Sequence, residues 1–229
     1  PCRATTLVAD LSSHLVRITA GFTGAEVLLF GATDGESDVI VVVRGPDETA
    51  VVRRKSRIAG IWVNVERMVF PRMPSFYHVA ANRPLPVVAQ PGVLVSEMIG
   101  ADNFRFEPTD RVASPAKVAA YGAAFIRNKQ QANLYQDELG SVRFLGDRLF
   151  RTTVRLPANV PTGTYNVQVF QLREGRIVST TATPLLVGKD GVGAEVYEFA
   201  HRHAVAYGLI AIVAALMAGW LAGVVLRKI

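Results

Sequence analysis

The sequence predicts a mainly β domain interrupted by helices, followed by one apolar helix near the C-terminal end. Three observations predict it. Short β-branched or alternating runs recur in two blocks, residues 7–70 and 149–187, with turn residues between them. Between the blocks, Ser114-Pro115 is a helix start, with a serine N-cap and proline at the first helical position. Residues 204–226 (AVAYGLIAIVAALMAGWLAGVVL) carry no charged side chain.

In the first block, residues 7–11, 15–18, 26–30 and 38–44 read as strands, punctuated by Thr23-Gly24, Asp34-Gly35 and Gly45-Pro46-Asp47. Two more follow at 48–54 and 61–70. Residues 39–43 (VIVVV) are continuously apolar, the pattern of a strand covered on both faces. The texture changes over about residues 84–147. A helix from Ser114 to about Glu138 places Val118, Tyr121, Phe125 and Ala132 along one side, a face for docking on a sheet. A shorter helix near 93–99 precedes it. In the second block, strands at 149–156, 165–173 and 176–183 are followed by 185–187. Val160-Pro161-Thr162-Gly163 is a turn and Glu174-Gly175 a hairpin. Short, regularly spaced strands joined by hairpins suggest a β-sandwich. The run LPANVPTGTYNVQVF followed by QLREGRIV resembles the last hairpin of immunoglobulin-like periplasmic domains. The expected fold is therefore mainly β. An immunoglobulin-like β-sandwich over 1–187 carries a helical insertion at about 84–147, and one C-terminal transmembrane α-helix follows.

The apolar run is 23 residues long. At the rise of an α-helix it spans about 34 Å, enough for a hydrocarbon core of about 30 Å. Tyr207 and Trp220 lie toward its two ends, as interfacial aromatics do, and it has no polar face. Arg227 and Lys228 follow directly, so the positive-inside rule places that end in the cytoplasm and the large N-terminal part in the periplasm. His201, Arg202 and His203 precede the span in a linker over 188–203 and are expected at the membrane interface. Ala211, Ala215, Gly219 and Gly223 recur every four residues, a small-residue face that lets two helix backbones approach closely. Its mate is a second copy of the chain or a different membrane protein. The expected location is a bacterial inner membrane, single-pass, with a cytoplasmic tail at 227–229.

The chain has 25 basic and 19 acidic residues, net +6. Before the apolar run stand 23 basic residues against the same 19 acidic ones, a mild +4 that falls short of a nucleic-acid footprint. Cys2 is the single cysteine, which excludes an intrachain disulfide and a cysteine metal cage. Pro1 before it argues against a lipidated first residue. The opening Pro1-Cys2-Arg3 is expected to follow a removed signal peptide, and a trimmed chain fits equally well.

Three stretches together carry a family resemblance: LVADLSSHLVRITAGFTGAEVLLFGA, VPTGTYNVQVF and HRHAVAYGLIAIVAALMAGWLAG. With them the chain resembles, nearly end to end, the alphaproteobacterial putative transmembrane protein family. The resemblance implies a periplasmic domain with one C-terminal anchor. It carries no catalytic residues. Genes for sulfite-exporter-type permeases near some members point to a transporter or membrane complex as partner.

Motifs for chemistry are sparse. Asp10, Ser12, Ser13 and His14 have the residue types of a hydrolase, but no GxSxG elbow accompanies them and neighbours in a turn point different ways. The histidines His14, His78, His201 and His203 form no HExxH cluster, and no metal or cofactor is expected. Arg53, Arg54, Lys55 and Arg57 are the densest basic run, read as a solvated strand end or hairpin with acidic lipid or an acidic protein as alternatives. Phe70, Arg72, Met73, Phe76 and Tyr77, in a proline-rich segment, have the composition of an interface core and are the candidate partner contacts.

Together these observations imply a noncatalytic, membrane-anchored periplasmic interaction protein, an accessory subunit of an integral membrane complex or transporter. The partners expected are an integral membrane protein, the lipid bilayer and a second copy through the membrane helix. A periplasmic ligand-binding module for an anion or sulfur compound is the alternative, and convergent arginines in a pocket would mark it. A metal-dependent or hydrolytic enzyme is the third class.

Overall fold

The computed structural model describes residues 7–58, 60–110 and 112–189. The chain divides into two units, Pro1–Gly188 and Lys189–Ile229, and only Lys189 of the second falls among the described residues. The expected membrane helix at 204–226 lies outside them. Among the described residues no helix is long and apolar enough to cross a membrane.

The first block forms β1 (Val8–Leu11), β2 (Leu15–Ile18), β3 (Gly24–Ala32), β4 (Asp38–Arg44), β5 (Asp47–Ile58), β6 (Ile61–Pro74) and β7 (Tyr77–Ala81). Helices α1 (Leu85–Val88), α2 (Pro91–Ser96) and α3 (Pro115–Gln131) follow, with a 3-10 turn at Ala101–Asn103. The chain returns to strands in β8 (Gly140–Ser141), β9 (Arg143–Leu145), β10 (Leu149–Pro157), β11 (Gly163–Arg173) and β12 (Arg176–Lys189). One sheet runs β1-β3-β10-β9, a second β2-β12-β11-β4-β7-β8, and β5 and β6 pair only with each other.

Alternation decides the smaller sheet. In β10, Phe150, Thr152, Val154 and Leu156 are buried while their neighbours are exposed, and β3 buries Val27 and Leu29. Apart from Thr152, these residues and buried apolar side chains of the larger sheet belong to one hydrophobic cluster.

β4 differs because it is covered twice. Its register places Val39, Val41 and Val43 beside Gln171, Val169 and Val167, and the next pair of strands adds His78 and Ala80 to that face. Ile40, Val42 and Arg44 share the opposite face with Phe170, Tyr77, Val79 and Ala81. Over that second face lies the helical segment. The Tyr77 hydroxyl donates to the Met98 carbonyl at 3.0 Å and accepts from the Gly100 N–H at 2.8 Å. Arg44 donates to the Glu97 carbonyl at 2.6 Å. A chain of edge-to-face rings fastens the layer: Phe70–Phe106 at 5.1 Å, Tyr77–Phe104 at 4.7 Å and Phe125–Tyr135 at 5.6 Å.

Helix α3 begins as its sequence dictates, with the Ser114 hydroxyl accepting from the Lys117 N–H. Tyr121 and Phe125 are buried, and Val118 is partly so. The helix ends at Gln131 rather than near Glu138. Asn133 adopts a left-handed φ of 56°, and the Leu134 and Tyr135 N–H groups turn back to the Lys129 carbonyl. Ala132 is therefore the cap, not a member of the helical stripe. The expected helical insertion at 84–147 is also corrected at its end, because β8 and β9 already belong to the two sheets.

β5 and β6 leave the body as a ribbon. At its root a Cβ on Gly45 would stand 2.7 Å from the Ser75 hydroxyl and 2.9 Å from the Phe76 backbone nitrogen. Gly45→Val is therefore expected to destabilise the fold by about 1–3 kcal/mol, read as a lower urea midpoint at unchanged m-value. An unchanged midpoint would mean that the ribbon root can shift freely.

Candidate interaction surface

The outer half of the ribbon is built from residues that the core does not need. Ala50, Val52, Met68 and Phe70 bury its root. Beyond them, Arg53, Arg54, Lys55, Arg57 and Ile58 on one strand and residues 61–67 on the other are exposed. At strand spacing, 53–58 extends about 20 Å. Gly60, at φ +88°, occupies the turn, and Ile58, Ile61 and Trp62 at the tip are 55%, 69% and 66% exposed.

Register sorts the ribbon into two faces. Arg53 lies opposite Arg67, Lys55 opposite Asn64 and Arg57 opposite Trp62. Paired residues share a face, so four cations and the tryptophan stand together. The other face continues the buried root and holds Arg54 opposite Glu66. Helix α3 engages Glu66: the Tyr121 hydroxyl donates to it at 2.9 Å and the Lys117 ammonium lies at 3.3 Å. The Tyr121 hydrogen bond is the first reason that the Glu66 carboxyl sits below its usual range, followed by Lys117. The basic face contains no carboxylate. Its one internal bond runs from Arg57 Nε to the Gly60 carbonyl, at 3.2 Å.

The candidate contacts read from the sequence fall elsewhere. Phe70, Met73, Phe76 and Tyr77 are all under 5% exposed, each within the core cluster. They are core residues of their own domain, which corrects the expectation of a free contact surface. Composition alone cannot separate an interface core from a domain core, since both select aromatics and Met. Arg72 alone of the five is exposed, at a φ of 58°. It borders a groove of about 920 Å³ with Phe106, Pro108 and Val118. Ala211, Ala215, Gly219 and Gly223, and likewise His201, Arg202, His203, Tyr207, Trp220, Arg227 and Lys228, lie outside the described residues.

A second feature is a polar cleft of about 1050 Å³ bordered by Arg83, Arg148 and Arg173. Two of these arginines are already engaged. Arg83 grips Asp38 through two N–H groups, Nε to Oδ1 at 2.8 Å, and Asn82 adds a third bond at 2.9 Å. Arg173 donates to Asp34, which also accepts from Gln171 at 2.7 Å. The Gln171 bond comes first, ahead of Arg173, in holding the Asp34 carboxyl below its usual range. The lining carries Glu36, Asp38, Asp147 and Glu174 against the three guanidiniums, so it is not a cationic pocket.

A family model described as Putative transmembrane protein (Alph_Pro_TM) matches residues 6–228. The chain belongs to that family. No curated protein matches it.

In this Alph_Pro_TM member the groups that resemble catalytic machinery are engaged in structure. The His14 ring meets Asp10 at 2.9 Å, with both side chains half exposed, but both serine hydroxyls are bonded to backbone groups instead. The Ser13 hydroxyl donates to the Leu15 carbonyl at 2.8 Å, and the Ser12 hydroxyl accepts from the Leu28 N–H at 3.1 Å. Among the described residues no group of three or more His, Cys, Asp and Glu side chains is placed to hold a metal. Burial pushes the Tyr77 hydroxyl up to about 12 and the Tyr135 and Tyr165 hydroxyls above their usual range. His78 is buried, and burial takes it down to about 4; Gln136 opposes this weakly, and neither ring nitrogen has a hydrogen bond.

Proposed function

We propose that this chain is a noncatalytic, membrane-anchored interaction protein. In this reading an immunoglobulin-like sandwich stands in the periplasm on one C-terminal membrane helix and serves an integral membrane complex or transporter as an accessory subunit. The observation that carries it is the β5–β6 ribbon. Beyond the buried root residues Ala50, Val52, Met68 and Phe70, both strands continue into an exposed projection with an apolar tip that adds nothing to the core of the domain. Membership of a family described as transmembrane and the apolar run at 204–226 support the location.

The test is recovery of the full-length protein from its native membrane in mild detergent, with identification of co-purifying proteins. A stoichiometric integral membrane partner is the expected result. A chain that emerges alone at every detergent strength overturns the accessory-subunit role. A second reading, a binding module for a small anion, rests on Arg148 alone, since Arg83 and Arg173 in the same cleft are held by Asp38 and Asp34. Saturable binding of sulfite or sulfate by the full chain, lost in Arg148→Ala, would establish that reading.

A further inference from the structure

We infer that the basic face of the β5–β6 ribbon rests on an anionic lipid surface, with Trp62 on that same face entering the headgroup boundary. This rests on the reading of the chain as a contact module at a membrane, and it names what the ribbon meets.

Three features of the ribbon lead there. First, Arg53, Lys55, Arg57 and Arg67 share one face that holds no carboxylate. Successive cations on a strand face are about 7 Å apart, a flat row without a pocket. Such a row fits a field of phosphate headgroups rather than one shaped ligand. Second, Arg53 stands directly opposite Arg67. Like charges in that position destabilise an isolated ribbon, and an anionic surface removes the penalty. Third, the basic face ends at the exposed Trp62, which lies opposite Arg57, while Ile58 and Ile61 pair with each other on the other face. Tryptophan favours the membrane interface, and an aromatic beside a row of basic side chains is the make-up of elements that lie in it. Single-stranded nucleic acid would call for a series of aromatic platforms between the cations, and this face offers only Trp62. An acidic protein partner would match the charge, and the experiment separates it.

Each basic side chain near an anionic leaflet contributes roughly a fivefold gain in partitioning, so four together contribute well over a hundredfold. The effect fades with added salt, because the screening length shrinks from about 10 Å at 0.1 M to about 3 Å at 1 M.

The test uses the full chain carrying Trp220→Phe, which leaves Trp62 as the single tryptophan. It is reconstituted in nanodiscs of phosphatidylcholine alone or with one-third phosphatidylglycerol. In the anionic discs, Trp62 emission is expected to shift to the blue and to be quenched by lipids brominated in the acyl chain. High salt, or the combined change R53E, K55E, R57E and R67E, should abolish both effects. These side chains are solvent-exposed, so circular dichroism of the variant should match the parent. Water-like, iodide-accessible Trp62 in both kinds of disc overturns the inference. Equal shielding in neutral and anionic discs overturns the role of the cations. Shielding that appears only when a membrane-protein partner is added overturns the lipid inference while leaving the contact-module reading intact. Failure of that reading would show separately, as absence of any partner in the detergent recovery.

Discussion

Phe70→Ala is expected to destabilise the folded domain by about 3–5 kcal/mol, whereas Trp62→Ala should change stability by no more than about 0.5 kcal/mol. Both are aromatic residues of β6, eight positions apart. Phe70 is fully buried, lies opposite Ala50 and meets the Phe106 ring edge-to-face at 5.1 Å. Its removal leaves a cavity where the ribbon root meets the helical layer, and the rigid strands around it cannot close the gap. Trp62 is two-thirds exposed at the tip, so the folded chain loses little when it is truncated. For a domain of this size the Phe70 change lowers the melting temperature by about 6–20 °C. Thermal unfolding of the full chain in mild detergent, followed by circular dichroism, measures both. A Phe70→Ala protein that melts with the parent would restore the view of this segment as a free contact surface. The two substitutions should also separate in function, with Trp62→Ala impairing contact at full stability.

The residue pattern carries some of this architecture and not the rest, for physical reasons. The apolar run of β4 predicts cover on both faces, and every residue from Asp38 to Val43 is buried, with residues 97–100 bonded across one face. The Glu174-Gly175 hairpin is legible because a two-residue turn between twisted strands needs positive φ at both positions, and they adopt 52° and 76°. The ribbon is legible only to Arg54, where alternation stops. Pairing continues to Ile58, because strands that bury nothing need no alternation. Likewise β12 runs unbroken through Pro184, which stands at an exposed position in the strand. The basic run was visible as a solvated hairpin, but its sorting into faces depends on a bulge near Lys55 that shifts the register of β6. Without that shift Arg67 would not join Arg53. Phe104 and Phe106, which fasten the helical layer, gave no periodic signal because they lie in an extended segment between helices.

Acid should destabilise the domain through His78, by about 3 kcal/mol between neutral pH and pH 4. The ring lies on the inner face of β7, 2% exposed, and its Cε1 would stand 2.7 Å from a Cβ placed on Gly140. Neither nitrogen is hydrogen-bonded, and Gln136 offsets only part of the desolvation of an imidazolium, so the folded ring stays neutral down to about 4. In the unfolded chain the same ring takes its proton near 6.5. Above that pH both states hold it neutral, and it adds no pH dependence. As the pH falls from about 6.5 to 4, the unfolded state gains a proton that the folded state refuses, so stability drops; below 4 this contribution levels off. Asp34 and Glu66, both held below their usual range, also weaken the fold in acid. The His78 share is therefore isolated as the difference between the parent and His78→Leu. At pH 7 the variant should be about 1 kcal/mol more stable, since it buries no unpaired nitrogen. By pH 4 the gap should widen to about 4 kcal/mol, read from urea unfolding at a series of pH values. Parallel pH curves for the two proteins would mean that His78 is protonated in the folded state or reached by water.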